Sequence, residues 1–271
     1  MDTAYKDGFT HAGKFHADDV FSAALLNLLF PGINIHRVQS VPAEAKGIVF
    51  DIGLGEYDHH QSDSPVRDNG IAYAAFGLLW RTFGGQILGE EEAARFDARF
   101  IQPLDLNDNT GAYDPIADVI DSFNPTWNHQ DMSEDEAFHS ARILAQTILE
   151  KQFEKINSHT IAYQHIVDTY SLDEEILVLS QYLPWEKAVE NTPVKYVILP
   201  SKRGGYSIRP VSRKDYFPEP WRGCQKELAS LTQIPSARFC HKSGFLCAVG
   251  TLEDAKKLCL LAMSEEWKIF I

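Results

Sequence analysis

The feature that most constrains this chain is a short apolar run, Ile48-Val49-Phe50, that ends on Asp51, turns through Gly53 and Gly55, and presents Asp58-His59-His60-Gln61. An apolar run of this length bounded by glycines reads as a buried strand. A strand whose carboxyl end delivers one aspartate and then a tandem histidine belongs in an open α/β sheet, where ligands gather outside the carboxyl ends of the strands. Asp-His-His-Gln in that place reads as half of a metal site.

The other half is sought along the rest of the chain. Gly8 to His11 reads as a short strand and opens onto His11-Ala-Gly-Lys-Phe-His16-Ala-Asp18-Asp19, followed by an apolar helix over Val20 to Phe30 that Pro31-Gly32 stops. Asp18 or Asp19 is a natural N-cap, and capping accounts for one of them. It does not account for two histidines beside them, and two imidazoles with a carboxylate suit Mn²⁺, Zn²⁺ or Fe²⁺ better than Ca²⁺ or Mg²⁺. Ile33 to Val38 and Ile48 to Asp51 read as further strands, so the spacing predicts a parallel sheet with covering helices. Helices are expected over Gly70 to Phe83, ending at Gly84-Gly85, and over Glu90 to Ile101. Pro103 to Gly111 is polar and turn-rich. It reads either as an Asx-turn loop or as the source of one more carboxylate, Asp105 or Asp108.

A polar connection over Asn124 to Asp131 precedes Ser133-Glu-Asp-Glu136, a capping box, and a long helix reaching about Tyr170. His139, His159 and His165 on it read as ordinary helix residues. Strands are then expected at Glu175 to Leu179, Val194 to Leu199, Tyr206 to Val211, Ala237 to Cys240 and Gly244 to Val249. Helices fall at Gln225 to Leu231 and Leu252 to Met263. The whole is α/β in class.

Net charge is −13 over 271 residues, which disfavours a generic nucleic-acid binder, because phosphate contacts need cations. The charge is uneven: Lys202 to Arg222 holds Lys202, Arg203, Arg209, Arg213, Lys214 and Arg222 against Asp215 and Glu219, the one candidate anion surface, read otherwise as a solvated loop. No apolar run long enough for a membrane helix occurs, and Met1 to Thr10 carries no signal or transit pattern. Cys224, Cys240, Cys247 and Cys259 form no C-x-x-C and read as reduced thiols. A cytoplasmic location is expected.

His11, His16, Asp18, Asp51, His59 and Asp108 together exceed what one tetrahedral ion requires. They suit two metals sharing a carboxylate, with Asp51 best placed to bridge, in an arrangement that clamps a phosphoryl displacement. His60 is then placed beyond the ligands, to contact a phosphate oxygen or protonate the leaving group, and Asp58 to orient an imidazole. In the C-terminal half Arg209, Arg222 and His241 are donors close to Gly223 and Gly244, which suits phosphate binding; the bland reading of Arg222 is a salt bridge to Glu219 or a neighbour.

These motifs carry a resemblance. Asp58-His59-His60 after a strand ending in Asp51, with His11, His16 and Asp18 upstream and Asp108 downstream, resembles the DHH phosphoesterase superfamily. Thr10-His11-x-Gly13-x-Phe15-His16-x-Asp18, Asp58-His-His-Gln61, Asp105-x-x-Asp108-Asn109, Pro218-Glu-x-Trp221-Arg222-Gly223 and His241-x-Ser243-Gly244-Phe245 are similar, in order, to the MYG1 (UPF0160) family. The resemblance implies a DHH-like metal-binding catalytic domain over 1–130, a long helical connection over 131–172 and a smaller (DHHA1-like) substrate-binding α/β domain over 173–271. The basic stretch would then face the metals across an interdomain cleft. It also implies two divalent metals, expected to be Mn²⁺, with Mg²⁺ or another transition metal as alternatives, and 3′–5′ exonuclease-like phosphodiester hydrolysis of short RNA or oligonucleotides. His16 stands where the superfamily usually has Asp, and the Gly53 to Asp58 link is compact. Two other functions fit: a phosphatase or pyrophosphatase-type hydrolase for a small substrate, and a metal-binding protein without strong turnover. A phosphoester, short RNA or a nucleotide, is the expected partner, with no membrane; homodimerisation is left open.

Overall fold

A computed structural model describes residues 5–128, 132–264 and 266–270. The chain forms two compact units, 1–157 and 158–271. Part of the polar connection expected over Asn124 to Asp131 lies outside the described residues.

In the first unit β1 (Asp7–His11), α1 (Ala17–Leu29), β2 (Asn34–Val38) and β3 (Ile48–Val49) build a three-stranded sheet of order β2-β1-β3. Both pairings are parallel, with Gly8 opposite both Ile35 and Ile48. Parallel strands send their carboxyl ends to one edge, so the loops after His11 and after Val49 leave the sheet side by side. A fully buried phenylalanine pins each loop immediately before a candidate ligand. Phe15 precedes His16 and Phe50 precedes Asp51, both with no exposed surface, and burying each ring stabilises its loop by about 2 kcal/mol.

Helices α2 (Ala75–Leu88), α3 (Glu90–Phe96), a π-helical segment Asp97–Ile101, α4 (Gln102–Thr110) and α5 (Pro115–Asp121) follow. Two expectations are corrected here. The helix placed at Gly70 to Phe83 starts later and runs through Gly84 and Gly85 to Leu88. Gly84 and Gly85 serve close packing rather than termination, because a Cβ on them would meet Trp80 and Glu90 respectively. The stretch Pro103 to Gly111 is no Asx-turn loop. It is α4, with Pro103 tolerated in its first turn and Gly111 as a left-handed C-cap at φ 71°.

The long helix α6 (Glu134–Thr169) begins with the capping box expected at Ser133 and Glu136: Glu136 N donates to Ser133 Oγ at 3.3 Å, and Ser133 N donates to Glu136 Oε2 at 2.9 Å. In the second unit β4 (Ile176–Val178), β5 (Tyr196–Pro200), β6 (Tyr206–Pro210), α7 (Glu227–Thr232), β7 (Ala237–Cys240), β8 (Cys247–Val249) and α8 (Leu252–Met263) form a sheet of order β4-β5-β6-β8-β7. It is mixed, parallel only between β4 and β5. The four cysteines are free thiols. Among the described residues no helix is long and apolar enough to cross a membrane.

Candidate active site

At the carboxyl edge of the first sheet, side chains from three chain segments meet. His11 Nε2 lies 3.2 Å from Asp51 Oδ2 and 3.4 Å from Asp19 Oδ2. His59 Nε2 lies 3.1 Å from Asp51 Oδ1, 3.2 Å from Asp108 Oδ2 and 3.9 Å from Asp18 Oδ2. His16 Nδ1 is 4.0 Å from Asp108 Oδ1. Their ligand atoms fall into clusters within 4.8 Å: His11, Asp19 and Asp51; His16, Asp18 and Asp108; Asp51, His59 and His60. Asp51 is shared by two of them. All six residues singled out as ligands are thus brought together; His11, His16, Asp51, His59 and Asp108 line a trough of about 640 Å³ with Asp58 and His60, and Asp18 is fully buried, its Oδ2 3.9 Å from His59 Nε2.

Asp51 has a left-handed backbone, φ 54°, and so does Leu54 at φ 56°. That conformation costs a non-glycine residue on the order of 1 kcal/mol or more. Asp51 N donates to Tyr57 O at 2.9 Å, and Asp58 Oδ2 accepts from Leu54 N at 2.6 Å. The strained loop is closed by its own hydrogen bonds. Asp58, almost fully buried, also meets His60 Nδ1 at 2.7 Å, which leaves Nε2 as the free nitrogen of a largely exposed ring.

Two residues with a place in the site were not singled out from sequence. Asp19 Oδ1 accepts from His16 N at 2.9 Å as the N3 partner of a capping box on α1, while its Oδ2 accepts no hydrogen bond and faces His11. The His-x-x-Asp spacing carried that signal, but capping alone explained it. Asn109 Oδ1 lies 3.3 Å from His59 Nδ1, and its amide donates to Asp105 O at 2.9 Å. The amide oxygen facing Nδ1 accepts a hydrogen bond from that nitrogen, which leaves Nε2, 3.1 Å from Asp51 Oδ1, as the nitrogen that a cation would take in place of a proton. Asp105 stands apart from the cluster. It is fully buried, pairs with Arg67 Nη2 at 2.7 Å and accepts from Gly77 N at 3.2 Å.

The electrostatics are those of an overloaded anionic pocket. Asp18 is fully buried and neither carboxylate oxygen has a hydrogen-bond partner. Burial, then the charges of Asp51 and Asp108, push its carboxyl well above the ordinary range. Burial and Asp51 push Asp19 up to about 7. The hydrogen bond to Asp51 raises His11 to about 9. Burial tends to raise Asp51, yet His11 and His59 outweigh it and hold it below its usual value. An isolated buried carboxylate is costly unless paired or bound to a metal. The orphaned oxygens of Asp18 and Asp19, among imidazole nitrogens and with no sulfur, therefore fit hard-to-borderline divalent cations.

In the second unit the five candidate substrate residues also lie in one region. Arg222 Nε donates to Phe217 O at 2.8 Å, and a Cβ on Gly244 would lie 2.7 Å from that nitrogen. Gly223 N donates to Cys240 O, and His241 Nδ1 accepts from Ser243 N. His241 packs on Phe245 with ring centroids 4.2 Å apart, and Arg209 lies over the same ring. Among the described residues Arg222 makes no ion pair with Glu219, and the residue is exposed.

Comparison with known proteins identifies the family of the chain. A MYG1 protein of Schizosaccharomyces pombe is 28% identical over 316 residues, covering 94% of this chain and 96% of its own. A human protein named MYG1 exonuclease is 26% identical, covering 94% and 85%, and a MYG1 protein of Dictyostelium discoideum is 24% identical, covering 97% and 98%. The aligned spans exceed the 271 residues of this chain, so these relatives carry inserted segments. The model of the uncharacterised protein family UPF0160, named for MYG1 exonucleases, matches residues 9–263, and the chain belongs to that family.

Proposed function

We propose that this protein is a metal-dependent phosphodiesterase of the DHH type that removes nucleotides from short RNA or oligonucleotides, with 3′–5′ exonuclease-like action. The observation that carries the reading is Asp18, fully buried with both oxygens unpartnered among three other carboxylates and three imidazoles. The name of the human relative supports the nuclease class. His11, Asp19 and Asp51 would hold one ion; Asp18, His59 and Asp108 would hold a second, with Asp51 between them and His16 at its margin. When bound, two divalent ions, Mn²⁺ in this reading, supply an acidified water and neutralise phosphate charge.

The chain's own residues do the rest. Asn109 keeps the proton of His59 on Nδ1, so Nε2 stays available as a donor of its lone pair. Asp58 anchors His60 through Nδ1. His60 Nε2 then projects a proton toward a phosphate oxygen or a leaving alkoxide. Arg209, Arg222 and His241 grip substrate phosphate, Arg222 through its guanidinium, while Gly223 and Gly244, whose N–H groups donate to Cys240 O and His241 O, leave room for a phosphate to approach. A net charge of −13 favours short substrates over long polyanions.

The test is a metal-by-substrate matrix on purified protein. Mn²⁺-dependent release of mononucleotides from dinucleotides and short RNA is expected, faster than from long strands. Inactivity toward oligonucleotides, dinucleotides and small phosphoesters with Mn²⁺ sinks the reading.

Two further outcomes follow from the ligand set. Asp19→Asn keeps the cap acceptor but removes the charge, so it should weaken one of two Mn²⁺ binding events by roughly 10–100-fold and spare the other. Two unchanged events in calorimetry would make Asp19 a cap alone. The second outcome concerns pH. Only neutral imidazole ligates, and His11 in contact with Asp51 keeps its proton up to about 9. Below that, cation binding must eject the proton. Apparent Mn²⁺ affinity therefore rises as pH increases through neutrality, with buffer-dependent heats from proton release; an affinity flat in pH contradicts it.

A further inference from the structure

Beside the metal-site trough lies a second cavity of about 420 Å³ that shares His16 and Asp108 with it. Its other lining includes Lys14, Tyr113, Asp118 and Asp121. Tyr113, just after the Gly111 cap of α4, is 79% exposed. A large aromatic ring left in solvent beside a buried ionic centre has no packing role. The cavity's one ammonium, Lys14, is held by Asp121 at 2.8 Å, so no uncommitted ammonium or guanidinium lines the cavity for a second phosphate. Carboxylates accept well from hydroxyls, and an aromatic face stacks on any base.

We infer that this cavity seats the single nucleoside adjoining the scissile phosphate, its base stacked on Tyr113 and its ribose hydroxyls directed to Asp118 or Asp121, and that the acidic wall bars a further phosphate on that side. The inference rests on the phosphodiesterase reading and deepens it. A polyanionic strand cannot continue past the wall without facing the carboxylate of Asp118, and Asp121, neutralised by Lys14, offers it no positive charge, so only a chain end enters. One nucleotide leaves per turnover, and cleavage is end-directed because of charge, with no need for a steric block.

The experiment compares binding of AMP, inorganic phosphate and adenosine 3′,5′-bisphosphate to the full-length protein with Mn²⁺. Tyr113→Ala should weaken AMP roughly tenfold and leave inorganic phosphate unchanged, while Tyr113→Phe stays within about twofold, since stacking needs only the ring. The bisphosphate should bind more weakly than AMP, and Asp118→Lys should narrow the gap. AMP affinity indifferent to Tyr113→Ala, a parallel loss of phosphate affinity, or a bisphosphate that binds as well as AMP overturns the inference while the metal reading stands. A wild-type protein that binds neither AMP nor phosphate with Mn²⁺ overturns both.

Discussion

Asp51→Asn is expected to abolish Mn²⁺-dependent hydrolysis, lowering kcat/KM by on the order of 10³-fold while the protein stays folded. Two physical facts set the size and the specificity. Asp51 touches both halves of the cluster, with Oδ2 3.2 Å from His11 and Oδ1 3.1 Å from His59, so its charge serves both proposed ions. Lewis-acid stabilisation is worth several kcal/mol, and each ~1.4 kcal/mol is a factor of ten. Asparagine also tolerates the left-handed backbone that residue 51 adopts at φ 54°, so the loop geometry survives the change. The control is thermal unfolding with and without Mn²⁺. The wild-type protein should gain stability by mass action, and the variant should lose most of that gain while its metal-free Tm moves little. Activity within tenfold of wild type would remove Asp51 from the bridging place.

What the sequence revealed of this site, and what it hid, have different physical origins. The strand before Asp51 is short, apolar and bounded by Gly47 and Gly53, and its parallel pairing with β1 carries His11 and Asp51 to the same edge. The tandem histidine after Asp51 is a local pattern, readable in order. Hidden were features made by contacts distant in sequence. Nothing around Pro103 to Gly111 distinguishes polar helix from polar loop, because the stretch is helical by continuation from α3 through the π segment. The separate fates of Asp105 and Asp108 follow from that helix. Residues three apart share roughly one face, yet Asp105 points at α2 and Asp108 at His59. Glycines misled in the same way. Gly84 and Gly85 look like a stop, yet a Cβ on either would strike a neighbouring side chain. Asp19 was hidden because one carboxylate does two things, and its cap role is the one a local rule can read.

The pairing of Asp105 with Arg67 leads to the other large expected effect. Ala74, the N-cap of α2, has no polar side chain to cap the helix. Asp105, from α4, supplies the missing acceptor to Gly77 N, and a Cβ at residue 77 would collide with that carboxylate. A fully buried carboxylate tolerates this position because Arg67 lies against it at 2.7 Å, forked to Asp97 through Nε and Nη2, with its guanidinium 3.8 Å over Tyr73. Arg67→Ala strips the counter-charge and the cation–π face together and leaves Asp105 buried alone. Breaking a buried pair from one side costs about 3–5 kcal/mol, which in a domain of this size lowers Tm by roughly 10 °C. Asp105→Asn in the same background should recover part of the loss, since it removes the uncompensated charge while keeping an acceptor for Gly77. The two changes are therefore strongly non-additive in a double-mutant cycle. Asp105→Asn alone should keep full Mn²⁺ stoichiometry, which separates a helix-anchoring carboxylate from a ligand. Additive losses, or a missing ion in Asp105→Asn, would reverse that assignment. The coupling reaches the site through α4 itself: Asp108 and Asn109 sit within a turn of Asp105, so loosening that anchor frees the side chains that face His59 and weakens Mn²⁺ binding without altering a single proposed ligand.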